Sequence, residues 1–280
     1  MISLKAYAKV NLSLEINGKR DDGYHILDTV MQTVSLYDKV TISVADSGVI
    51  DVSCDDLSLT GENNLCYKAA TLFFEKVKIN GGCSVNIEKN IPLSAGLGGG
   101  SSDAAAVLKG LNVLYNNPLS YDGLKNLALK LGADVPFLIK GGTARAKGIG
   151  EELSVIENKL PLYFVLIKEG QKPSTAQMYK KFDELGFSYS LEQISNNMEK
   201  SLNDADFSLF VDSLKNDFSC VWNYEKIKQD LINNGADAVS LSGSGPTVMG
   251  LFKDKNDAFK AFEKLKSYYS DIFFAESVNE

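Results

Sequence analysis

The sequence predicts an α+β fold, on three observations. Strand-like alternation and helical periodicity both occur along the chain, yet they follow no strict strand–helix order. Turn clusters rich in glycine, asparagine and aspartate separate the periodic segments. At 280 residues the chain is long enough to bury a sizeable core, in one large domain or two medium ones.

The first residues, Met1 to Tyr7, read as the start of a strand. Leu12, Leu14 and Ile16 then alternate with Ser13 and Glu15, as do Val40, Ile42 and Val44 with Thr41 and Ser43. Residues 18–23 form a polar turn between these two runs. A second turn cluster, 59–64, precedes a helix over about residues 65–76, and Cys83, Val85 and Ile87 mark the next strand. After a glycine-rich stretch, Ala104, Val107, Leu108 and Leu111 fall on one helical face. A helix over about 121–131 ends at Gly132, where a left-handed cap is expected. It leads into Ala133-Asp134-Val135-Pro136-Phe137 and a turn at Gly141-Gly142.

The second half opens near Leu160-Pro161 with an apolar strand over 163–167, followed by polar helices over about 175–185 and 191–201. Tyr224, Ile227 and Leu231 mark another amphipathic helix. Residues 239–251 read as strand, tight turn, strand. A helix with Ala258, Phe262 and Leu265 inward precedes a final short strand over 272–275.

Composition narrows the function classes. A net charge of −7 argues against a general nucleic-acid binder, because counterion release needs a basic surface. No apolar run approaches the roughly 20 residues that span a bilayer, so no membrane partner is expected. Cys54, Cys66, Cys83 and Cys220 are scattered without a Cys-x-x-Cys pair, which points to reduced thiols. The N-terminal residues lack the basic-then-apolar order of a signal peptide, and the cytoplasm is the expected location. His25 is the single histidine, which excludes two-histidine zinc motifs. No Gly-x-Ser-x-Gly elbow supplies a nucleophile for a triad built on it.

Five segments carry candidate chemistry. Gly96, Gly98, Gly99 and Gly100, followed by Ser101 and Ser102 and then a helix, suit a phosphate cradle of backbone N–H groups at a helix N-terminus. The serines could cap the helix or hold a phosphate oxygen or magnesium. The same pattern also fits a glycine-rich turn entering a helix. It is neither a Walker A loop, which needs Gly-Lys-Ser/Thr, nor a dinucleotide fingerprint. Lys9, inside an apolar strand, either snorkels to solvent or faces a site that uses its charge. Asp134 is either a local cap or a carboxylate available for acid–base work. Tyr24-His25 closes a turn; the pair could grip a planar base, or Tyr24 could fill the core. Residues 242–247, Ser-Gly-Ser-Gly-Pro-Thr, could form a second backbone nest or a plain hairpin turn.

Together, and in matching order from about Lys5 to Leu251, these segments resemble the GHMP kinase superfamily. The loop Pro92-x-x-x-Gly96-Leu97-Gly98-Gly99-Gly100-Ser101-Ser102 resembles its ATP-binding motif, and Gly243-Ser244-Gly245-Pro246-Thr247 its C-terminal glycine motif. The resemblance implies a two-domain GHMP kinase fold. A domain like ribosomal protein S5 domain 2 would span residues 1–158, and a ferredoxin-like domain 159–280, with the active site in the cleft between them. It implies an ATP-dependent small-molecule kinase that works with Mg2+ as a monomer or weak homodimer. ATP would be bound by Pro92, Ser94, Ala95, Gly96, Leu97, Gly98, Gly99, Gly100, Ser101 and Ser102.

Three segments, Ala8-Lys9-Val10-Asn11-Leu12, Lys19-Arg20-x-Asp22-Gly23-Tyr24-His25 and Gly132-Ala133-Asp134-Val135-Pro136-Phe137, resemble the branch acting on a cytidyl diphosphate polyol in isoprenoid biosynthesis. By that resemblance Asp134 is the general base and Lys9 holds it ionised. Asn11 bonds the polyol. Tyr24 and His25 bind the cytosine, with Tyr179 as the opposing stacking face. Thr175, Gly243, Ser244 and Gly245 complete the substrate site. Asp103 stands where some relatives carry asparagine, and no metal ligand is assigned. The alternatives are a homoserine- or mevalonate-type kinase, or a non-catalytic sensor of the same fold.

Overall fold

The computed structural model describes residues 1–171, 173–186 and 193–279. In chain order it begins with strands β1 (Ile2–Lys19), β2 (His25–Ala45) and β3 (Ile50–Cys54), helix α1 (Leu65–Val77) and strand β4 (Gly82–Glu88). Helices α2 (Gly99–Leu114), α3 (Tyr121–Leu131) and α4 (Val135–Lys140) follow, then strands β5 (Thr143–Gly148), β6 (Glu152–Val155) and β7 (Tyr163–Lys168). The remainder is α5 (Thr175–Glu184), α6 (Ile194–Asp204), α7 (Phe207–Ser213), α8 (Glu225–Asn233), β8 (Ala238–Leu241), β9 (Thr247–Phe252), α9 (Lys255–Leu265) and β10 (Ile272–Glu276). The chain divides into two units. The first comprises Met1–Ala8, Tyr37–Leu93 and Gly98–Gly141, and the second Lys9–Leu36, Ser94–Leu97 and Gly142–Glu280. The long strands β1 and β2 therefore each contribute to both.

In the first unit, β4 pairs antiparallel with the later half of β2, Lys39 opposite Glu88, and parallel with β3, Ile50 opposite Cys83. Val40, Ile42, Val85 and Ile87 are buried as their alternation predicted; Val44, at the end of β2, is exposed instead. Helix α1 starts where Asn64 accepts a bond from Cys66 N at 2.8 Å, a side-chain cap of the kind that satisfies orphan helix donors. Helix α2 packs against α1 and α4. Its buried face includes Ala104, Ala105 and Ala106 as well as Val107, Leu108 and Leu111, because alanines let neighbours approach over a wider arc than a single stripe. Gly132 ends α3 with φ 161° and ψ 161°, extended rather than the left-handed cap expected, and the chain passes at once into α4, a helix the sequence reading did not separate.

In the second unit, β10, β7, β9 and β8 form an antiparallel sheet in that order. Counted along the chain this is fourth, first, third, second, the ferredoxin-like arrangement. Helices α8 and α9 pack against the sheet, and Ile227, Leu231, Ala258 and Leu265 join Val165, Ile167, Val248 and Phe252 in its core. Ala261 takes the inward position predicted for Phe262, which packs half-buried at the core's edge. Leu14 and Ile16 of β1 enter the same core. No helix among the described residues is long and apolar enough to cross a membrane.

The earlier half of β2 pairs with β5, and β5 with β6; neither of these partners was legible as a strand. Strand β6 is largely exposed, and the first four residues of β5 are all buried, a charge among them. That charge is Arg145, whose Nε and Nη2 fork onto Asp28 at 2.7 and 2.6 Å while Nη1 reaches Glu199 of α6 at 2.9 Å. Likewise Ser13 and Glu15, predicted to face outward, are buried. Glu15 accepts bonds from Ile194 N at 3.0 Å and Ser195 N at 2.7 Å, placing a carboxylate at the positive end of α6. The helix predicted over 191–201 begins outside the described residues, and α6 starts at Ile194.

Arg145→Met would leave Asp28 buried without its countercharge. It is expected to lower stability in urea unfolding by about 3–5 kcal/mol, and a change below about 1 kcal/mol would show that the pair does not hold β5 to β2.

Candidate active site

Three carbonyl groups decide what the glycine-rich loop presents. Ala95 O accepts from Thr247 N at 3.3 Å, Gly96 O from Ser242 Oγ at 3.1 Å, and Leu97 O from Lys9 N at 2.9 Å. In a trans peptide the carbonyl of one residue and the N–H of the next point in opposite directions. The N–H groups of Gly96, Leu97 and Gly98 are therefore turned away from β1 and from the turn at 242–247. Ala95 and Leu97 are buried and pin the loop, while Pro92 is half-buried and Ser94 is exposed with a φ of 53°. Gly96 has a φ of 77°, and a Cβ there would lie 2.4 Å from Ser242 O and 2.8 Å from Gly245 O. Only glycine permits this approach of two backbones.

Gly98 occupies the N-cap position of the 16-residue helix α2, and no side chain caps that end. Ser102, expected as a cap or a ligand, donates its Oγ to Tyr7 O at 2.6 Å, which commits its proton but not its lone pairs. Gly99 and Gly100 lie in the first turn, and a Cβ on Gly100 would meet nothing within 4 Å. An uncapped helix N-terminus of this kind favours negative charge.

Sequence reasoning passed over Lys89, at the end of β4. Its Nζ lies 3.4 Å from the place of a Gly99 Cβ and donates to Asp38 and, at 2.7 Å, to Asp103. Asp38 also accepts from Asn90 N at 2.6 Å and Ile91 N at 2.7 Å. Burial and the charge on Asp38, against the pull of Lys89, raise the Asp103 carboxyl to about 7. Burial opposes the charge on Lys89 too, but the two aspartates outweigh it and raise its pKa. Two carboxylates thus share one ammonium, and Asp103 anchors the start of α2 by this tie.

Lys9 does not snorkel: it is 4% exposed, and its Nζ donates to Asn11 Oδ1 at 2.7 Å. Thr29 Oγ1 donates to the carbonyl of Ser13, which can only accept, so Thr29 must itself accept from Asn11 Nδ2 at 2.8 Å. This fixes the Asn11 amide with its oxygen toward Lys9. Gly243 backs onto the pair, the place of its Cβ lying 3.4 Å from Asn11 Oδ1 and 3.5 Å from Lys9 Nζ. The turn at 242–246, which contains a cis Gly245–Pro246 bond, is held by another residue the sequence reading missed. Asn216 donates to Leu241 O at 3.0 Å and Gly243 O at 2.9 Å. The Ser244 N–H is thereby aimed away from Asn216, and Ser244 Oγ lies 3.2 Å from Thr175 Oγ1. The only sequence signal for Asn216 was an asparagine beside a polar turn.

His25, 8% exposed, is bound through Nε2 to Asp183 Oδ1 at 2.7 Å. Tyr24 is 62% exposed, which rules out a core role for it. The ring of Tyr179 is carried by helix α5. It stacks on His25 with centroids 4.5 Å apart and 15° between planes, too close to admit a base between those two rings, and Phe218 meets it edge-on at 4.9 Å. Asp134 lies in the first unit, half-buried at the N-terminal end of α4, and its side chain does not cap that helix. The cap suggested by its sequence position is therefore not its role.

Residues 64–142 match the family model described as the GHMP kinases N terminal domain, and residues 198–271 match GHMP kinases C terminal. A Clostridium botulinum protein named 4-diphosphocytidyl-2-C-methyl-D-erythritol kinase is 43% identical, over 99% of this chain and 100% of its own. One of the same name from Thermoanaerobacter pseudethanolicus is 39% identical, over 100% and 97%. A crystal structure of 4-(cytidine 5'-diphospho)-2C-methyl-D-erythritol kinase superposes with a TM-score of 0.82 at 31% identity, covering all of both chains. A mevalonate kinase at 18% identity and a TM-score of 0.76 shares the fold.

Gly96→Ala would force the loop off the turn at 242–246. It is expected to weaken nucleoside triphosphate binding about tenfold or more in calorimetry without loss of the circular dichroism of the fold; wild-type affinity would contradict the close-approach argument.

Proposed function

This chain belongs to the GHMP kinase family, and on that premise we propose that it transfers the terminal phosphoryl group of ATP to the 2-hydroxyl of 4-diphosphocytidyl-2-C-methyl-D-erythritol. The observation that carries this reading is the likeness to kinases of that name, 43% identity over essentially the whole of both chains. The geometry supports it residue by residue. The outward N–H groups of Gly96, Leu97 and Gly98 hold phosphate oxygens.

Among the described residues no three His, Cys, Asp or Glu side chains gather as a metal cage. That fits a magnesium ion bound chiefly by nucleotide phosphates, with a loop hydroxyl, Ser101 or Ser102, to assist. Magnesium, when bound, offsets charge on the phosphoryl oxygens. The chain's own groups do the rest. The buried Lys9 ammonium, oriented by Asn11, sets a positive charge at the reacting end, and Asn11 bonds the polyol. Asp134, half-buried at the N-terminal end of α4, accepts the proton of the attacking hydroxyl. Tyr24 and His25 hold the cytosine, the exposed Tyr24 ring offering a face for stacking. Tyr179 keeps the His25 ring in place, and Thr175 and Ser244 line the same unit beside the turn at 242–246.

ADP release with ATP, magnesium and the cytidyl acceptor tests the reading, with mevalonate, homoserine and galactose run in parallel. Turnover is expected with the cytidyl acceptor alone; preference for another acceptor, or none at all, would overturn it. Asp134→Asn is expected to lower kcat by about a hundred- to ten-thousandfold while ATP affinity stays within about twofold of wild type. Undiminished turnover would remove Asp134 as the base.

A further inference from the structure

Helix α5 brings a carboxylate to the only histidine of the chain. Asp183 accepts from Lys19 Nζ through Oδ2 at 2.7 Å and binds His25 Nε2 through Oδ1 at 2.7 Å. The helix that carries it is well fixed. Its N-terminus is closed by a reciprocal Ser174–Gln177 capping box, and Met178 and Phe182 are buried in the core. Burial disfavours charge on Asp183, but the bonds from Lys19 and His25 outweigh it and hold the carboxyl below its usual range. An ionised carboxylate can only accept. A neutral imidazole facing it must therefore carry its proton on Nε2, which makes Nδ1 the acceptor of the ring. The Tyr179 stack on one face and the Asp183 bond on the edge leave the imidazole little freedom to turn over.

We infer that Asp183 is a specificity-determining positioning residue, which locks the tautomer of His25 so that the ring accepts from the amino group of cytosine and rejects the carbonyl of uracil. The chemistry is that of the base edges: cytosine offers an N4–H2 donor where uracil, like thymine, offers an O4 acceptor. An acceptor set by the Asp183 carboxylate gains a bond with the first and meets a lone pair with the second. This inference rests on His25 being the cytosine contact, as proposed above. Asp183 itself touches no substrate in this account and acts through His25.

Because the chain has one histidine, the imidazole 15N signals of labelled protein belong to His25 alone. In the wild type they are expected to show the Nε2–H tautomer above the pH at which the ring titrates. Asp183→Asn, whose amide can offer an oxygen or an N–H, is expected to populate both tautomers. It should also lower the cytidyl-over-uridyl ratio of kcat/KM by about tenfold, through KM rather than kcat. Lys19→Met removes the other bond to Asp183 and is expected to keep both the tautomer and the ratio. A Nδ1–H wild type, or a D183N protein with wild-type tautomer and ratio, overturns the inference. So does a K19M protein as impaired as D183N, since anchoring of α5 would then be the cause. Failure of the wild type to turn over a cytidyl acceptor defeats the function reading and the specificity claim with it, while the tautomer measurement still tests the lock.

Discussion

The bonds from Thr247 N, Ser242 Oγ and Lys9 N to the successive carbonyls of residues 95–97 are the constraint on which the rest of the site depends. A glycine-rich loop has no side chains with which to choose a conformation, so its direction must be imposed from outside. Here β1 and the turn at 242–247 impose it by consuming the carbonyls, and the peptide geometry then delivers the N–H groups to the opposite side. The same turn lies against Lys9 and Asn11 through Gly243, and Asn216 fixes it in place. One set of backbone bonds thus orders both the phosphate cradle and the polar pair beside it.

Buried charge is the second organising theme. Lys89 between Asp38 and Asp103, Arg145 on Asp28, and Glu15 at the start of α6 each lie inside the structure with polar partners. Such pairs contribute little net stability over apolar packing, yet removing one member strands the other. Their effect is to fix register. Arg145 holds β5 to β2 and reaches α6, while Lys89 joins the end of β4 to Asp103 of α2. A hydrophobic contact could slide by a residue where these geometries cannot.

Those same charges explain what the sequence did and did not disclose. Helices with separated apolar and polar faces, such as α1, α3 and α9, and strands with clean alternation, such as β4, were legible because burial there follows side-chain polarity. Strand β5 was not, since Thr143 to Ala146 are all buried and include an arginine, and the outward reading of Glu15 failed because its partner, α6, is 179 residues away. The glycine loop was legible as a loop. Its orientation was not, because the groups that set it come from residues 9, 242 and 247. Lys9 was singled out as a charge in an apolar strand. Asn216, Lys89 and Asp183 were not, since each acts through a long-range partner and carries no local motif. The expectation that Tyr179 would be the stacking face opposing Tyr24 and His25 came from the resemblance, which did not show that its ring stacks directly on His25.

The claim that inward carbonyls create the phosphate cradle is tested most directly by amide-resolved NMR of the backbone on titration with magnesium and ATP. The account predicts that the N–H signals of Gly96, Leu97 and Gly98 shift most and that their exchange with solvent slows. Saturable ATP binding that left those three amides unmoved, with the largest shifts elsewhere in the chain, would contradict it.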